Sequence, residues 1–217
     1  QNDNHGRFDT PASFAYRNNF HQRALVDEYI LELRDVLEKK FHGIVLKIDD
    51  FDYRITIDVD MIFSYKGKGI ARNAAGWFRD FFKGRFIDFL NRPWVLLGLM
   101  KDPYDTFEKI DQLKKASAFP FHYFILFAEN RGEFDKNTSR NHKKSIERLK
   151  ELVDNNEVGL HPSYAGHADS RIHLEEKSAL ENACGKEIVN CRQHYLKMDL
   201  PDTYEKLMEM CFIDDYT

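Results

Sequence analysis

The sequence lacks the features that would assign it to a membrane or nucleic-acid-binding class. None of its apolar runs approaches the roughly 20 residues that a membrane-spanning helix requires. It starts with the polar stretch QNDNHGRFDT, which contains no apolar signal-peptide core. Lysine and arginine are spread along the chain, and the formal net charge is -4. We therefore expect no membrane span and no nucleic-acid partner.

Cysteine is also scarce. The chain has three cysteines, Cys184, Cys191 and Cys211, an odd number with no spacing typical of a zinc site. This usage is typical of reduced, mostly buried thiols in a cytoplasmic protein, and nothing in the sequence supports a Cys184–Cys191 disulfide. We expect a cytoplasmic location, while a signal peptide already removed from the chain would leave the same sequence.

The composition is that of a globular domain with an aromatic interior. The 217 residues are 42% hydrophobic and 31% charged, and the chain contains 18 phenylalanines. This length can bury a sizeable core in one large domain or two small ones. The aromatic content also favours a groove lined by rings.

The N-terminal part predicts a helix followed by strands. Apolar residues recur at helical spacing over residues 23–41. Two β-branched stretches follow, GIVLKI at 43–48 and YRITIDVD at 53–60, which could pair as a hairpin or lie as neighbouring strands. We expect residues 1–48 to form an N-terminal extension of helix and strand.

The remaining residues, 49–217, alternate between helix-like and strand-like patterns. Residues 69–101 predict one or two helices with breaks at Gly84 and before Pro93. Later helices are predicted at 102–117, 141–156, 170–185 and 200–211, and strands at 119–128, 157–161, 187–192 and 212–217. This alternation predicts an α/β fold with a parallel sheet and crossover helices.

Residues that can do chemistry recur where the predicted strands end. These residues are Asp58, Asp60, His161, Arg192, His194, Asp214 and Asp215. Ligands bind at the carboxyl ends of the strands both in α/β barrels and in open α/β sheets. The sequence therefore predicts one common site at this edge.

The residue types at these strand ends favour metal-assisted hydrolysis. Asp58 and Asp60 are one residue apart on a predicted strand, so their side chains share a face. Carboxylates and imidazoles suit zinc or a similar divalent ion. One acid can bind the metal while the other takes a proton from an attacking water, and Arg192 can keep that acid ionised. Each residue alone has a plainer interpretation, as a capping acid, a strand end or a structural ion pair.

Four of these segments resemble the motifs of the polysaccharide deacetylase family (NodB-like, carbohydrate esterase 4). TIDVD, EVGLHPSY and CRQHYLK resemble its first, second and third motifs, and DDYT falls where a further acidic and aromatic motif is expected. The resemblance covers roughly residues 50–217. It looks closest to a bacterial branch with an extra N-terminal region.

The resemblance implies a distorted (β/α) barrel that removes N- or O-acetyl groups from sugar polymers. It assigns Asp58 as the catalytic base, steadied by Arg192, and Asp60 and His161 as ligands of a divalent metal, with zinc expected. The partner would be an acetylated glycan. These assignments come from the resemblance, whereas the residues themselves point only to metal-assisted hydrolysis.

The chain departs from the family pattern at the third metal ligand. The family's second motif has another histidine four positions after the first, where this chain has Ala165 and places His167 two residues further on. We expect His167 as a ligand if the loop turns back. His194 stands where the third motif normally has proline, so it could bind metal, contact substrate or fill space.

The remaining expectations concern substrate and completeness. The residues expected to contact substrate are His194, Tyr195, Asp215 and Tyr216. The family's late motif, with a leucine and a histidine, has no counterpart before Thr217. Either the barrel is incomplete at its C-terminal end or the site works differently.

These observations predict a metal-dependent deacetylase-like hydrolase that acts on a polysaccharide or glycan precursor. The alternative is a catalytically silent carbohydrate-binding protein of the same fold, which the missing histidine favours and the intact Asp-Val-Asp opposes. A third interpretation is an unrelated metallohydrolase, such as an amidohydrolase. The sequence leaves the sugar, the metal and the oligomeric state open.

Overall fold

The computed structural model describes residues 2–47, 52–117, 119–130 and 132–217. The chain divides into two compact units, Gln1–Tyr53 and Arg54–Thr217. The boundary that we predicted between residues 48 and 49 lies outside the described residues.

The first unit is helical. It contains a 3-10 helix at Thr10–Ala12, α1 at Phe14–Arg17 and α2 at Leu25–Lys40. The helix predicted over 23–41 is confirmed by α2. The strand predicted over 43–48 is not formed at residues 43–47, and Ile48 lies outside the described residues.

The second unit is built on a parallel sheet of five strands in the order β1-β2-β3-β4-β5. The strands are β1 Ile55–Val59, β2 Phe121–Leu126, β3 Glu157–His161, β4 Asn190–Cys191 and β5 Asp214–Asp215. All four strand pairs are parallel. The predicted α/β fold with a parallel sheet is therefore confirmed. Within the described residues β1 and β5 are the sheet edges, and closure into a distorted barrel stays a prediction.

Helices connect these strands. They are α3 Ile70–Phe82, α4 Phe86–Leu96, α5 Phe107–Ser117, α6 Lys143–Asn155, α7 Tyr164–Ala168, α8 Ser170–Cys184 and α9 Asp202–Glu209, with a 3-10 turn at His194–Leu196. No helix of the described ranges is both long and apolar enough to cross a membrane.

The two breaks predicted between residues 69 and 101 have different outcomes. The break at Gly84 is confirmed, since the chain there has φ 68° between α3 and α4. The break before Pro93 is wrong, because Pro93 lies inside α4. Proline cannot donate to the carbonyl four residues earlier. That carbonyl, of Phe89, accepts instead from the indole N–H of Trp77 at 3.0 Å, so the helix continues with its acceptor satisfied.

The helix predicted from residue 102 starts later, at Phe107. The Asp102 carboxylate anchors the loop after β1 instead. It accepts the backbone N–H groups of Ser64, Tyr65 and Lys66 at 2.6, 2.9 and 3.2 Å. A buried carboxylate with three such donors fixes the loop that begins at Asp60.

The hydrophobic core lies on the face of the sheet to which Tyr123 and Ile125 of β2 point. Every residue of β2 is buried, as expected for a strand of a parallel sheet covered on both sides. Leu149 and Leu180, from α6 and α8, are fully buried against it. On the opposite face, a Cβ at Gly159 would lie 2.6 Å from the Phe124 ring and 2.8 Å from the carbonyl oxygen of Asn190. Glycine at this position therefore lets Phe124 form the floor of the site.

The three cysteines are free thiols. Cys191 is buried, Cys184 is half-buried and Cys211 is exposed. Burial raises the pKa of the Cys184 thiol to about 12, which disfavours the reactive thiolate at neutral pH.

Candidate metal centre and its neighbouring carboxylate

Both acids of the Asp-Val-Asp motif lie at the carboxyl end of β1. Asp58 is in the strand, and Asp60 follows its last residue. The carboxylates face a common neighbour, His161 at the end of β3. Burial lowers the pKa of His161, and the negative charges of Asp58 and Asp60 oppose that shift. Two strands that are not neighbours thus bring their ends to one site.

Three side chains form a cluster that can hold a metal ion. Asp60 Oδ1 lies 3.6 Å from His161 Nε2 and 3.9 Å from His194 Nε2. The three ligand atoms all lie within 4.8 Å of one another. A tetrahedral zinc ion with bonds of about 2.1 Å would hold such atoms about 3.4 Å apart. The two distances from Asp60 exceed this value by about 0.2 and 0.5 Å.

Hydrogen bonds at the far side of each ring present the Nε2 lone pairs to Asp60. The Nδ1–H of His161 donates to the carbonyl oxygen of Arg192 at 2.6 Å. The Nδ1–H of His194 donates to the Asp135 carboxylate at 3.0 Å. Metal-binding histidines characteristically have such a carbonyl or carboxylate partner, which fixes the tautomer. Two oriented imidazoles and one carboxylate fit a divalent ion such as zinc.

Asp135 is a residue that the sequence analysis missed. It is buried, and besides His194 it accepts the backbone N–H of Tyr164 at 2.9 Å. It lies on the loop that follows β2, which ends at Leu126. Polar residues that follow strand ends converge in such folds, and Asp135 obeys this rule although it lies nine residues after Leu126.

Arg192 extends past Phe124 to reach Asp58. Its Nη1 donates to Thr56 Oγ1 at 2.9 Å and to Asp58 Oδ1 at 3.2 Å, and its Nε donates to the carbonyl oxygen of Tyr216 at 2.8 Å. The guanidinium lies 5.4 Å from the centre of the Phe124 ring. The sequence predicted this pairing of Arg192 with Asp58, and the geometry brings the two side chains together.

The structure brings His194, rather than His167, to Asp60 and His161. His167 lies on α7, with Nε2 at 3.2 Å from Asp199 Oδ2 and Nδ1 at 3.4 Å from Gln193 Oε1. The short helix begins directly after Ser163, whose hydroxyl accepts the N–H of Gly166. The chain therefore turns away after His161, and both nitrogens of His167 have other neighbours.

Aromatic rings lie beside His194. Phe134 and Tyr164 stack with centres 4.4 Å apart, and Tyr195 meets Tyr164 edge-on at 5.5 Å. The rings of His194 and Tyr195 lie 4.5 Å apart. Tyr195 has φ 60°, which is uncommon for a residue with a side chain. This backbone turn places Tyr195 between the metal cluster and the two stacked rings.

The other two residues predicted to contact substrate lie at the last strand. The Asp215 carboxylate accepts the N–H and the hydroxyl of Thr217 at 3.2 and 2.6 Å. The Tyr216 ring packs against Phe124 with centres 5.2 Å apart, next to Arg192. Both residues lie at the end of β5, and a role for them in substrate binding stays a prediction.

Comparisons with known proteins leave the family open. Residues 1–42 match a family of unknown function, DUF7033. No curated protein matches the sequence.

Two solved structures are similar to this one. A protein from Mycobacterium smegmatis, described as a polysaccharide deacetylase, has a TM-score of 0.45 and 16% identity over 78% of this chain and 53% of that one. IcaB from Ammonifex degensii has a TM-score of 0.41 and 15% identity over 75% of this chain and 82% of that one. The chain thus spans about half of the first structure. Likenesses of this size leave the function to be judged from the site itself.

Proposed function

We propose that this chain is a metal-dependent hydrolase that removes acetyl groups from a polysaccharide or glycan precursor. The observation that carries the proposal is that two neighbouring acids have different partners. Asp60 faces the two histidine Nε2 atoms, whereas Asp58 lies outside that cluster and is held by Arg192. Hydrolases that use a metal need this arrangement of ligands and a separate base.

Asp60, His161 and His194 would hold the ion, and zinc suits two imidazoles with one carboxylate. When bound, the ion would acidify a water molecule and polarise the acyl carbonyl. The chain supplies the remaining components. His161 and His194 are already oriented by their Nδ1 hydrogen bonds, which reduces the reorganisation that binding requires.

Asp58 would accept the proton of the attacking water. Arg192 donates a hydrogen bond to the Asp58 carboxylate, which holds that carboxylate in place beside the cluster. Attack on the acetyl carbon breaks the bond to the sugar nitrogen or oxygen, and the proton on Asp58 can pass to that leaving atom. The products are acetate and a free amine or hydroxyl group.

The acetylated glycan is supported by the motif resemblance and by the rings beside His194. Phe134, Tyr164 and Tyr195 form an aromatic group next to the polar cluster. Sites for sugar-sized ligands combine aromatic side chains with a few directed polar groups.

A direct test measures bound metal and acetate release from acetylated oligosaccharides by the full chain. Wild type should bind one divalent ion and release acetate, whereas Asp58→Asn should keep the ion and lose the acetate. Asp154→Asn, an exposed acid on α6, is the matched control and should behave as wild type. Absence of both metal binding and acetate release in wild type would refute the proposal.

The alternative of a silent carbohydrate-binding protein comes from Ala165, which stands where the family has a histidine. It predicts glycan binding that survives chelation, no acetate release, and no effect of Asp60→Ala on glycan affinity. Isothermal titration with and without chelator separates this outcome from the hydrolase.

A further inference from the structure

We propose that a cavity lined by cations, beside the candidate metal centre, binds a phosphate or diphosphate group carried by the saccharide. The oxyanion site stands on its own geometry, and the saccharide part of the inference rests on the proposed function. Binding of the anion alone can therefore be tested apart from catalysis.

The cavity lies in the second unit and has a volume of about 680 Å³. Its cationic lining consists of Lys68, Arg72, Arg79, Arg85, Arg92 and Lys136. Two acids, Asp80 and Asp88, also line it. Six cations against two acids leave an excess of four positive charges, in a chain whose net charge is -4. This local excess is thus opposite in sign to the whole molecule.

Both acids of the lining already have partners. Asp80 is buried, accepts a hydrogen bond from Arg92 and lies 3.5 Å from Arg79. Asp88 accepts the hydroxyl of Tyr65 at 2.9 Å. Within the part of the chain that the structure describes, no acidic partner lies within ion-pair distance of the other four cations, which are Lys68, Arg72, Arg85 and Lys136.

The cations repel one another. Burial lowers the pKa of Lys68, and the charges of Arg92 and Arg72 lower it further, although Asp102 opposes the shift. Like charges so placed cost free energy unless something compensates them. A bound anion with more than one charge would supply that compensation. A single carboxylate would neutralise only one of the four.

The cavity adjoins the candidate metal centre. Met61, Pro103 and Tyr104 line it and also line a second cavity, of about 360 Å³, that contains Asp58 and Asp60. The shared residues make the two cavities neighbours, and Asp60 is the member of the metal cluster that lines the second one. We infer that a ligand with its anionic group among the cations extends toward this end of β1.

The side-chain chemistry favours a phosphoryl group. Arginine binds phosphate oxygens with two parallel N–H donors, and lysine adds a point charge. Nucleoside diphosphate sugars, lipid-linked sugar diphosphates and phosphorylated polysaccharides share this chemistry. Each of them would bring a sugar next to its phosphate.

The first experiment titrates inorganic diphosphate into the full chain, from which metal has been removed by chelation and dialysis. Wild type should bind one diphosphate, and Lys68→Gln with Arg72→Gln should weaken binding at least tenfold. Lys150→Gln, an exposed lysine on α6 outside the cavity, should bind as wild type. Absence of saturable binding, or equal weakening in the Lys150 variant, overturns the inference. Circular dichroism of each variant checks that the fold is kept.

The second experiment separates this inference from the proposed function and compares the sources of the phosphate. Asp58→Asn should bind diphosphate as wild type does, even though it releases no acetate. With active wild type, N-acetylglucosamine 1-phosphate and UDP-N-acetylglucosamine should release acetate at lower concentration than N-acetylglucosamine. That advantage should disappear in the Lys68/Arg72 variant. Equal use of the neutral and phosphorylated sugars by wild type argues against the cavity as a substrate subsite, whatever the outcome for metal and acetate.

Discussion

The candidate metal centre and the cation cavity are neighbours, but they suit ligands of opposite charge. At the metal centre, the ring nitrogens of His161 and His194 that point away from Asp60 each have an oxygen acceptor. In the cavity, Lys68 and Arg72 have no acid within ion-pair distance among the described residues. The first region gathers acceptors and lone pairs, as a cation requires. The second gathers donors and positive charge, as an anion requires.

The two regions also differ in how they are held. The metal centre depends on hydrogen bonds to a main-chain carbonyl and to the buried Asp135. The cavity depends on one buried ion pair, Arg92 with Asp80, around which the exposed cations are arranged. Substitutions should therefore affect function in the first region and stability at the ion pair of the second.

Asp58→Asn is expected to have the largest effect, and to affect activity at the metal centre without affecting the cavity. Loss of the base should lower kcat for acetate release by about 10²- to 10⁴-fold, with metal content and diphosphate affinity unchanged. Steady-state kinetics, metal analysis and calorimetry on one preparation test all three quantities. A parallel fall in diphosphate affinity would mean that the two regions are not independent.

The next largest effect is expected at the ion pair. Asp80→Asn leaves the buried Arg92 without its charge partner and should lower the free energy of unfolding by about 3 kcal/mol. Asp88→Asn, which affects one partly exposed hydrogen bond, should cost about 1 kcal/mol and serves as the control. Urea denaturation measures both values. Equal losses of unfolding free energy in the two variants would show that the buried ion pair stabilises the fold no more than a partly exposed hydrogen bond.

The same pair predicts a pH dependence. Burial alone would raise the pKa of Asp80, but the hydrogen bond and charge of Arg92 outweigh burial and leave the pKa below its usual range. A carboxylate with a lowered pKa in the folded state adds stability above its unfolded pKa of about 4, and this contribution is lost as the pH falls. The free energy of unfolding of wild type should fall more steeply below pH 4 than that of Asp80→Asn. Parallel curves would show that the pair does not set the acid sensitivity.

A smaller effect is expected for Asp135→Asn. The amide can still accept from His194, but it removes the charge that strengthens the Nδ1–H bond, so metal affinity should fall about 10- to 100-fold. Competition with a chelating dye measures the change. Asp199→Asn, next to His167, is the control and should leave metal affinity unchanged. The reverse result would place the third ligand at His167.

The smallest effect is expected from salt. Charges at the exposed rim of the cavity are screened, so the diphosphate affinity should fall several-fold when ionic strength rises from about 0.05 M to about 0.3 M. Metal affinity depends on direct ligand bonds and should change much less. If the metal affinity and the diphosphate affinity fell equally with ionic strength, the two regions would not differ in their electrostatics as we expect.

The sequence predicted what depends on local pattern. Strand–helix alternation predicted the parallel sheet, and the residues that end β1 and β3 predicted Asp58, Asp60 and His161 at one edge. It could not decide between His167 and His194, because the choice depends on how the chain turns after each strand. Ser163 starts a helix that carries His167 away.

The cavity could be predicted from local pattern only in part. Arg72 and Arg79 are seven residues apart on α3, and Arg85 and Arg92 have the same spacing at α4, which puts each pair on one side of its helix. Only the tertiary fold brings the two pairs together with Lys68 and Lys136. Similarly, α4 continues through Pro93 with the help of the Trp77 indole. Trp77 is 12 residues from Phe89, whose carbonyl accepts its hydrogen bond.

Arg192 acts on the site through two chemically separate parts of one residue. Its main-chain carbonyl sets the tautomer of His161, and its side chain holds Asp58. A substitution at position 192 can alter only the second of these, since every residue keeps the carbonyl. Relatives that differ at this one position would therefore retain the ligand geometry while losing control of the base. On the proposed function, one substitution at position 192 would therefore separate metal binding from hydrolysis.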